Sequence, residues 1–169
     1  MEYFVYLQDL RLLCCRSCEA AVTRGRIRAH LRNKPHKLIK RQIDKVKQWA
    51  NTLDLIDGED EILALPSIPD DSPPIEALGN PKSGGFRCTF TADCRAIGAD
   101  KRRIREHLSK THGVELSAKP GPRPAGTAEE VEGSAYWRSG VLYQQLFAKG
   151  PRSELFEVAR GQSLATLEA

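Results

Sequence analysis

The stretch Cys15-Arg-Ser-Cys18-Glu-Ala-Ala-Val-Thr-Arg-Gly-Arg-Ile-Arg-Ala-His30-Leu-Arg-Asn-Lys-Pro-His36 decides how this chain folds. It reads as Cys-x2-Cys-x11-His-x5-His, and the pattern recurs as Cys88-x5-Cys94-x12-His107-x4-His112. The two clusters take up all four histidines and four of the five cysteines. Two thiolates from a turn and two imidazoles from a helix face supply the tetrahedral donor set that Zn2+ prefers. The spacing therefore predicts two zinc ions, one on Cys15, Cys18, His30 and His36 and one on Cys88, Cys94, His107 and His112.

About thirty residues cannot bury enough apolar surface to fold without a metal and a small core. The expected core positions are filled. Leu13, Val22 and Ile27 stand near the first ligand set, and Phe86, Ile97 and Ile104 near the second. Ile104 lies three before His107, on the same helix face. The expected fold is thus two small α+β, zinc-stabilised ββα fingers of C2H2 type with no single large core.

His30 and His36 are six apart, so an unbroken helix would turn them by about 600°, or about 120° out of alignment. Pro35 removes a backbone donor and disfavours helix at the residue before it, which predicts a break near Asn33 to Pro35 that returns His36 to the metal. Cys14 offers a rival Cys14-x3-Cys18 spacing. The tighter x2 turn favours Cys15, leaving Cys14 as a small apolar side chain in a strand.

Charge is segregated along the 169 residues. Residues 16–49 carry eleven Lys or Arg against Glu19 and Asp44, a local charge of +9, whereas 54–76 carry eight acids and no base. The second cluster is basic again. This order fits two polyanion-binding surfaces separated either by a solvating linker or by an acidic strap that folds over them. The apolar run Tyr3 to Leu7 is interrupted by Gln8, Asp9 and Arg11, unlike a signal peptide, and no run reaches the roughly 18 apolar residues of a membrane span. The expectation is an intracellular, nuclear protein without membrane contact, whose thiols stay reduced.

The predicted organisation is a first finger at 3–36, an amphipathic helix packed on it at 37–56, an acidic Pro/Gly-rich linker at 57–85, a second finger at 86–113, a flexible linker at 114–133 and an aromatic segment at 134–160. The helix rests on Leu38, Ile39, Ile43, Val46, Trp49, Ala50 and Leu53 recurring at three and four residues. The aromatic segment holds Tyr136, Trp137, Tyr143, Phe147 and Phe156 and is too short to fold alone.

The order of several short motifs is similar to that of a known family. Leu-Leu-Cys-Cys-Arg-Ser-Cys at 12–18 is followed by Pro-Pro-Ile-Glu-Ala-Leu at 73–78, Gly-Phe-Arg-Cys at 85–88, Val-Leu-Tyr-Gln-Gln-Leu-Phe at 141–147 and Phe-Glu-Val at 156–158. The chain resembles the fungal family named after protein D of the orsellinic acid biosynthesis cluster. The resemblance covers roughly residues 5–158 and implies two separated C2H2-like fingers. Tyr143 departs from the family, whose members often carry a cysteine there.

On function, the residues point first to nucleic acid, DNA ahead of RNA. Arg24, Arg26, Arg28 and Arg32 on the first helix and Lys101, Arg102, Arg103 and Arg105 on the second are the expected contacts. The positions from which a finger reads bases are Thr23, Arg26 and Ala29, then Asp100, Arg103 and Glu106. Residues 37–87 lie between His36 and Cys88, too many for adjacent triplets to be read in tandem, so phosphate contacts should dominate. The alternative is a zinc-scaffolded adaptor that presents the Trp49 helix or the aromatic segment to a protein partner. Four protein ligands per ion leave no open position for a catalytic water, which argues against an enzyme.

Overall fold

The computed structural model describes residues 2–114 and 135–160. The chain forms two compact α+β units. Met1–Ser67, Ile75–Asn80 and Gln145–Glu154 belong to unit 1, and Ile68–Pro74, Pro81–Gln144 and Leu155–Ala169 to unit 2.

In unit 1, β1 (Phe4–Leu7), β2 (Leu12–Cys15) and β3 (Ala20–Val22) make an antiparallel sheet in chain order. Cys15 pairs with Phe4 on one side and Ala20 on the other. All four residues of β2 are buried, because both of its faces are covered. Leu13 and Cys15 join Phe4, Val22, Ile27, Leu31, Ile43, Val46, Ala50 and Leu55 in one core. On strand alternation Cys14 faces the other way, and its thiol donates to the Ala77 carbonyl at 3.0 Å.

After β3 the chain passes through a 3-10 turn at Arg24–Arg26 into α1 (Ile27–Arg32), with Thr23 in the capping position but making no side-chain cap bond. The helix stops where Pro35 requires it. Asn33 is extended, its carbonyl accepts from the His36 and Lys37 amides at 3.0 Å each, and the Leu38 amide returns to the Leu31 carbonyl at 2.9 Å. α2 (Lys40–Ala50) then packs Ile43, Val46 and Ala50 into the core, with Trp49 beside it. Ile39, expected in that stripe, is 66% exposed, because it precedes the helix and its amide donates to Gln42 Oε1. Leu31 is fully buried between the sheet and α2. Leu31→Ala should therefore cost about 2–5 kcal/mol in urea unfolding of unit 1.

The expectation that 57–85 is a linker without packed structure is corrected. It holds α3 (Glu59–Leu63), a 3-10 turn at Glu76–Leu78 with Leu78 buried, and the start of β4 (Lys82–Cys88). Its acidic part is tied down inside unit 1. Just before it, Asp54 pairs with Arg11 at 2.8 Å. Within it, Asp57 accepts from the Gly25 amide at 2.8 Å, and Glu61 lies 3.6 Å from Arg11. Carboxylates among unpaired cations and amides fold back, and the prolines only shape the turns between them. The expected linker at 114–133 lies, except for Val114, outside the described residues.

Unit 2 is built on a four-stranded sheet ordered β5 (Ile97–Gly98), β4 (Lys82–Cys88), β6 (Trp137–Gln145) and β7 (Leu155–Glu157). The aromatic segment thus supplies two strands, and β6 runs antiparallel to β4 with Cys88 opposite Trp137. α4 (Lys101–His112) packs Ile104 and Leu108 against Cys88, with Phe86, Val114, Tyr136 and Trp137 around them. Asp100 caps α4 by accepting from the Arg103 amide at 2.8 Å, and Gly113 ends it in the left-handed conformation. A Cβ on Gly98 would come within 2.6 Å of the Ile104 amide, so only glycine lets β5 lie this close to α4.

A charge cluster centred on the buried Arg87 and Glu157 crosses the same sheet. Arg87 and Arg138 stand directly opposite each other on β4 and β6, a repulsive arrangement by itself. Glu157 on β7 meets both, at 3.3 Å from Arg87 and 2.8 Å from Arg138, and Asp70 takes the Arg87 guanidinium in a two-pronged pair at 2.8 and 2.9 Å. The hydrogen bonds from Arg87, helped by its charge, hold the Asp70 carboxyl below its ordinary pKa.

Candidate metal centres

Each unit gathers one Cys2His2 group. Cys15 at the end of β2 and Cys18 in the β2–β3 turn face His30 of α1 and His36 beyond the helix break; Cys88 at the end of β4 and Cys94 in the following loop face His107 and His112 of α4. In each group the four donor atoms lie within 4.8 Å of one another. All eight residues expected as ligands are thus brought together in two fours, and Cys14 belongs to neither.

The spacing inside each group fits a metal of zinc's size. Zn–S bonds of about 2.3 Å and Zn–N bonds of about 2.0 Å at the tetrahedral angle put S and N about 3.5 Å apart. His36 Nε2 lies 3.3 and 3.4 Å from the sulfurs of Cys15 and Cys18. In unit 2, His107 Nε2 is 3.2 Å from Cys94, and His112 Nε2 is 3.4 Å from Cys94 and 3.6 Å from Cys88. His30 Nε2 is buried without a hydrogen-bond partner, a costly state for a polar atom that a metal bond would relieve. His107 turns its other nitrogen, Nδ1, to Thr111 Oγ1 at 3.3 Å, the kind of outer contact that fixes a ligating ring.

Burial favours the neutral form of several of these groups. Burial, with Cys15 nearby, pushes the Cys18 thiol up to about 11, and burial raises Cys88 as well. Burial also holds His30 and His107 below the ordinary imidazole value, helped by His36 and His112 respectively. Crowded thiols cannot all ionise unless a cation sits among them, while neutral imidazoles are ready to ligate. Cys14 is pushed further, to about 12, chiefly by burial, and stays a thiol donor to Ala77.

These directions set the response to acid. With imidazoles depressed in the folded state, the unfolded chain binds more protons, so stability from His30 and His107 is present above about pH 6.5 and declines as the pH falls below it. Protons also compete with metal for the thiols. Metal content measured after dialysis should accordingly fall as the pH is lowered from 7 to 5, and unfolding should follow it.

The cations expected to meet nucleic acid are placed unevenly. Arg26 just before α1 and Arg28 and Arg32 on it are exposed, as are Lys101, Arg102 and Arg103 on α4. Arg24 departs from the expectation. It is half-buried and donates to the Leu53 carbonyl at 3.0 Å, holding α1 to the chain after α2. Arg105 is half-buried and already engaged. Glu106, read as a base contact, lies 3.1 Å from Arg102 and 3.6 Å from Arg103, and the Asp100 carboxylate is occupied as the helix cap. Sequence reasoning gave no role to Arg87, Asp70 or Glu157, although the motifs at 85–88 and 156–158 contain two of them, since no local spacing marks a charge that will be buried.

Two Cys2His2 groups of ion-binding dimensions, each on a small α+β unit, define the class of protein, and their donor set suggests zinc. The family model described as orsellinic acid/F9775 biosynthesis cluster protein D matches residues 2–113, more than half of the chain. The chain belongs to that family. No curated protein and no solved structure matches it. Among the described residues, no helix is long and apolar enough to cross a membrane.

Proposed function

We propose that the two units are C2H2-type ββα zinc fingers and that the protein binds nucleic acid, DNA in preference to RNA, through phosphate contacts of its basic helices in the nucleus. The observation that carries this reading is the exposure of Arg28 and Arg32 on α1 and of Lys101, Arg102 and Arg103 on α4, each helix also supplying metal ligands to its own unit. Zinc fixes each helix; the helix presents cations to a polyanion. Four protein donors at each ion favour a structural over a catalytic metal.

The adaptor reading takes second place. Trp49 packs beside the unit 1 core, and Tyr136 and Trp137 pack in unit 2, so these aromatics are engaged within the protein. Fluorescence anisotropy of a labelled duplex with zinc-loaded protein tests the proposal. Binding should require zinc, and log K should fall steeply with log salt, by about 0.9 per phosphate contact. A zinc-loaded chain that leaves the duplex free at low salt would put the adaptor reading first.

A further inference from the structure

We infer that unit 1 meets nucleic acid through the outer face of α2, and not through the α1 positions from which a finger reads bases. The inference rests on the nucleic-acid reading above and adds the outer face of α2 to the phosphate-contacting cations Arg28 and Arg32 named there. Two independent features of unit 1 support it.

Of the three base-reading positions at α1 one is buried, and the two exposed ones, Arg26 and Ala29, stand at the edge of a cleft. Thr23 is only 7% exposed. Arg26 and Ala29 line a cleft of about 730 Å³ that is also lined by Asp57, Glu59, Ile62 and Phe147. A recognition helix must enter a major groove about 12 Å wide and 8.5 Å deep, which demands a protruding face free of neighbours. Here that face has neighbours. Moreover, Asp57 already accepts from the Gly25 amide at 2.8 Å, at the start of the helical segment where a phosphate would be drawn. Its carboxylate and that of Glu59 would oppose a phosphate brought to the same place.

The outer face of α2 has the opposite character. Ile43, Val46 and Ala50 turn into the core, leaving Lys40, Arg41, Lys45 and Lys47 exposed. None of these four has an ion-pair partner among the described residues, and Asp44 is the only acid on the helix. At 100° per residue the four cations span about 160° of the solvent side, Lys40 and Lys47 along one edge and Arg41 and Lys45 along the other, with Asp44 between the two pairs. From Lys40 to Lys47 the helix rises about 10 Å, a length that faces about three phosphates of one strand at 3.4 Å each. The fit is to a sugar-phosphate backbone. It carries no base information, so this contact is independent of sequence.

The test uses the full zinc-loaded chain, labelled duplexes of two unrelated sequences and a salt series. One variant removes the α2 cations (Lys40→Ala, Arg41→Ala, Lys45→Ala, Lys47→Ala), and a second is Arg26→Ala. All five side chains are exposed. Unchanged Trp49 fluorescence would show that unit 1 remains folded in both variants. The α2 variant should lose tenfold or more in affinity on both duplexes, with a salt slope shallower by about 3, whereas Arg26→Ala should stay within about twofold of the parent. An α2 variant that binds like the parent overturns the inference and leaves the nucleic-acid reading standing. So does an Arg26→Ala loss confined to one duplex sequence, which would make unit 1 a groove reader. If the unmutated chain binds no duplex, the underlying reading fails and the inference falls with it.

Discussion

Cys94→Ala should lower the bound zinc from two ions per chain to one and unfold unit 2. Cys94 lies 3.2 Å from His107 Nε2 and 3.4 Å from His112 Nε2, so its removal opens the coordination of both histidines. The buried side chains between sheet and helix beside this site are few, chiefly Cys88, Ile104 and Leu108. A structural zinc supplies about 10–16 kcal/mol of apparent binding energy in small fingers, comparable to or larger than the whole stability of an ordinary domain. The chain offers a separate reporter for each unit, since Trp49 packs in unit 1 and Trp137 in unit 2. Trp137 emission should shift to that of a solvated indole in the variant, while the Cys15, Cys18, His30 and His36 group keeps its ion. Retention of two ions would show that Cys94 is not a ligand.

Arg87→Ala should destabilise unit 2 by about 3–5 kcal/mol even with zinc bound, the usual result of removing one partner from a buried ion pair. The Arg87 side chain is 10% exposed and that of Glu157 6%, so the pair is well shielded from water. Without Arg87, among the described residues Glu157 keeps Arg138, and Asp70 keeps Arg95 at 4.0 Å. Replacing both members with apolar residues, Arg87→Met with Glu157→Leu, should recover much of the loss, because no buried charge is then left alone. Acid should mimic part of the single variant. The Asp70 carboxyl is held below its ordinary pKa, so its contribution is complete at neutral pH, present above the unfolded value near 4, and lost as the pH falls through the folded one. Urea unfolding followed by Trp137 fluorescence measures both effects, and a single variant as stable as the parent would refute the account of the cluster.

The two Cys2His2 groups were legible because donor type and spacing can be read directly from the sequence. The break before His36 was legible too, since Pro35 dictates it whatever surrounds it. Ile39 misled for a definite reason: its spacing suits the buried stripe, yet it stands before the first turn of α2 and remains in solvent. The stretch at 57–85 misled for another. Proline and glycine mark turns, but they say nothing of whether the acids between them will find cations or amides, as Asp57, Glu61 and Asp70 do. Pairing of β6 with β4 joins residues some fifty positions apart, as Cys88 opposite Trp137 shows, and aromatic content alone cannot name a strand's partner. Arg24 was misread because helical position predicts where a side chain starts, not which carbonyl it reaches.

The central claim is that one zinc ion organises each unit. Titrating zinc into chelator-stripped protein while recording Trp49 and Trp137 fluorescence, with the ions per chain counted by native mass spectrometry, tests it most directly. The account predicts saturation at two ions, release of thiol protons on binding, and folding of both units as metal is added. A stripped chain already folded in both units, or one that saturates without binding zinc at either Cys2His2 group, would contradict it.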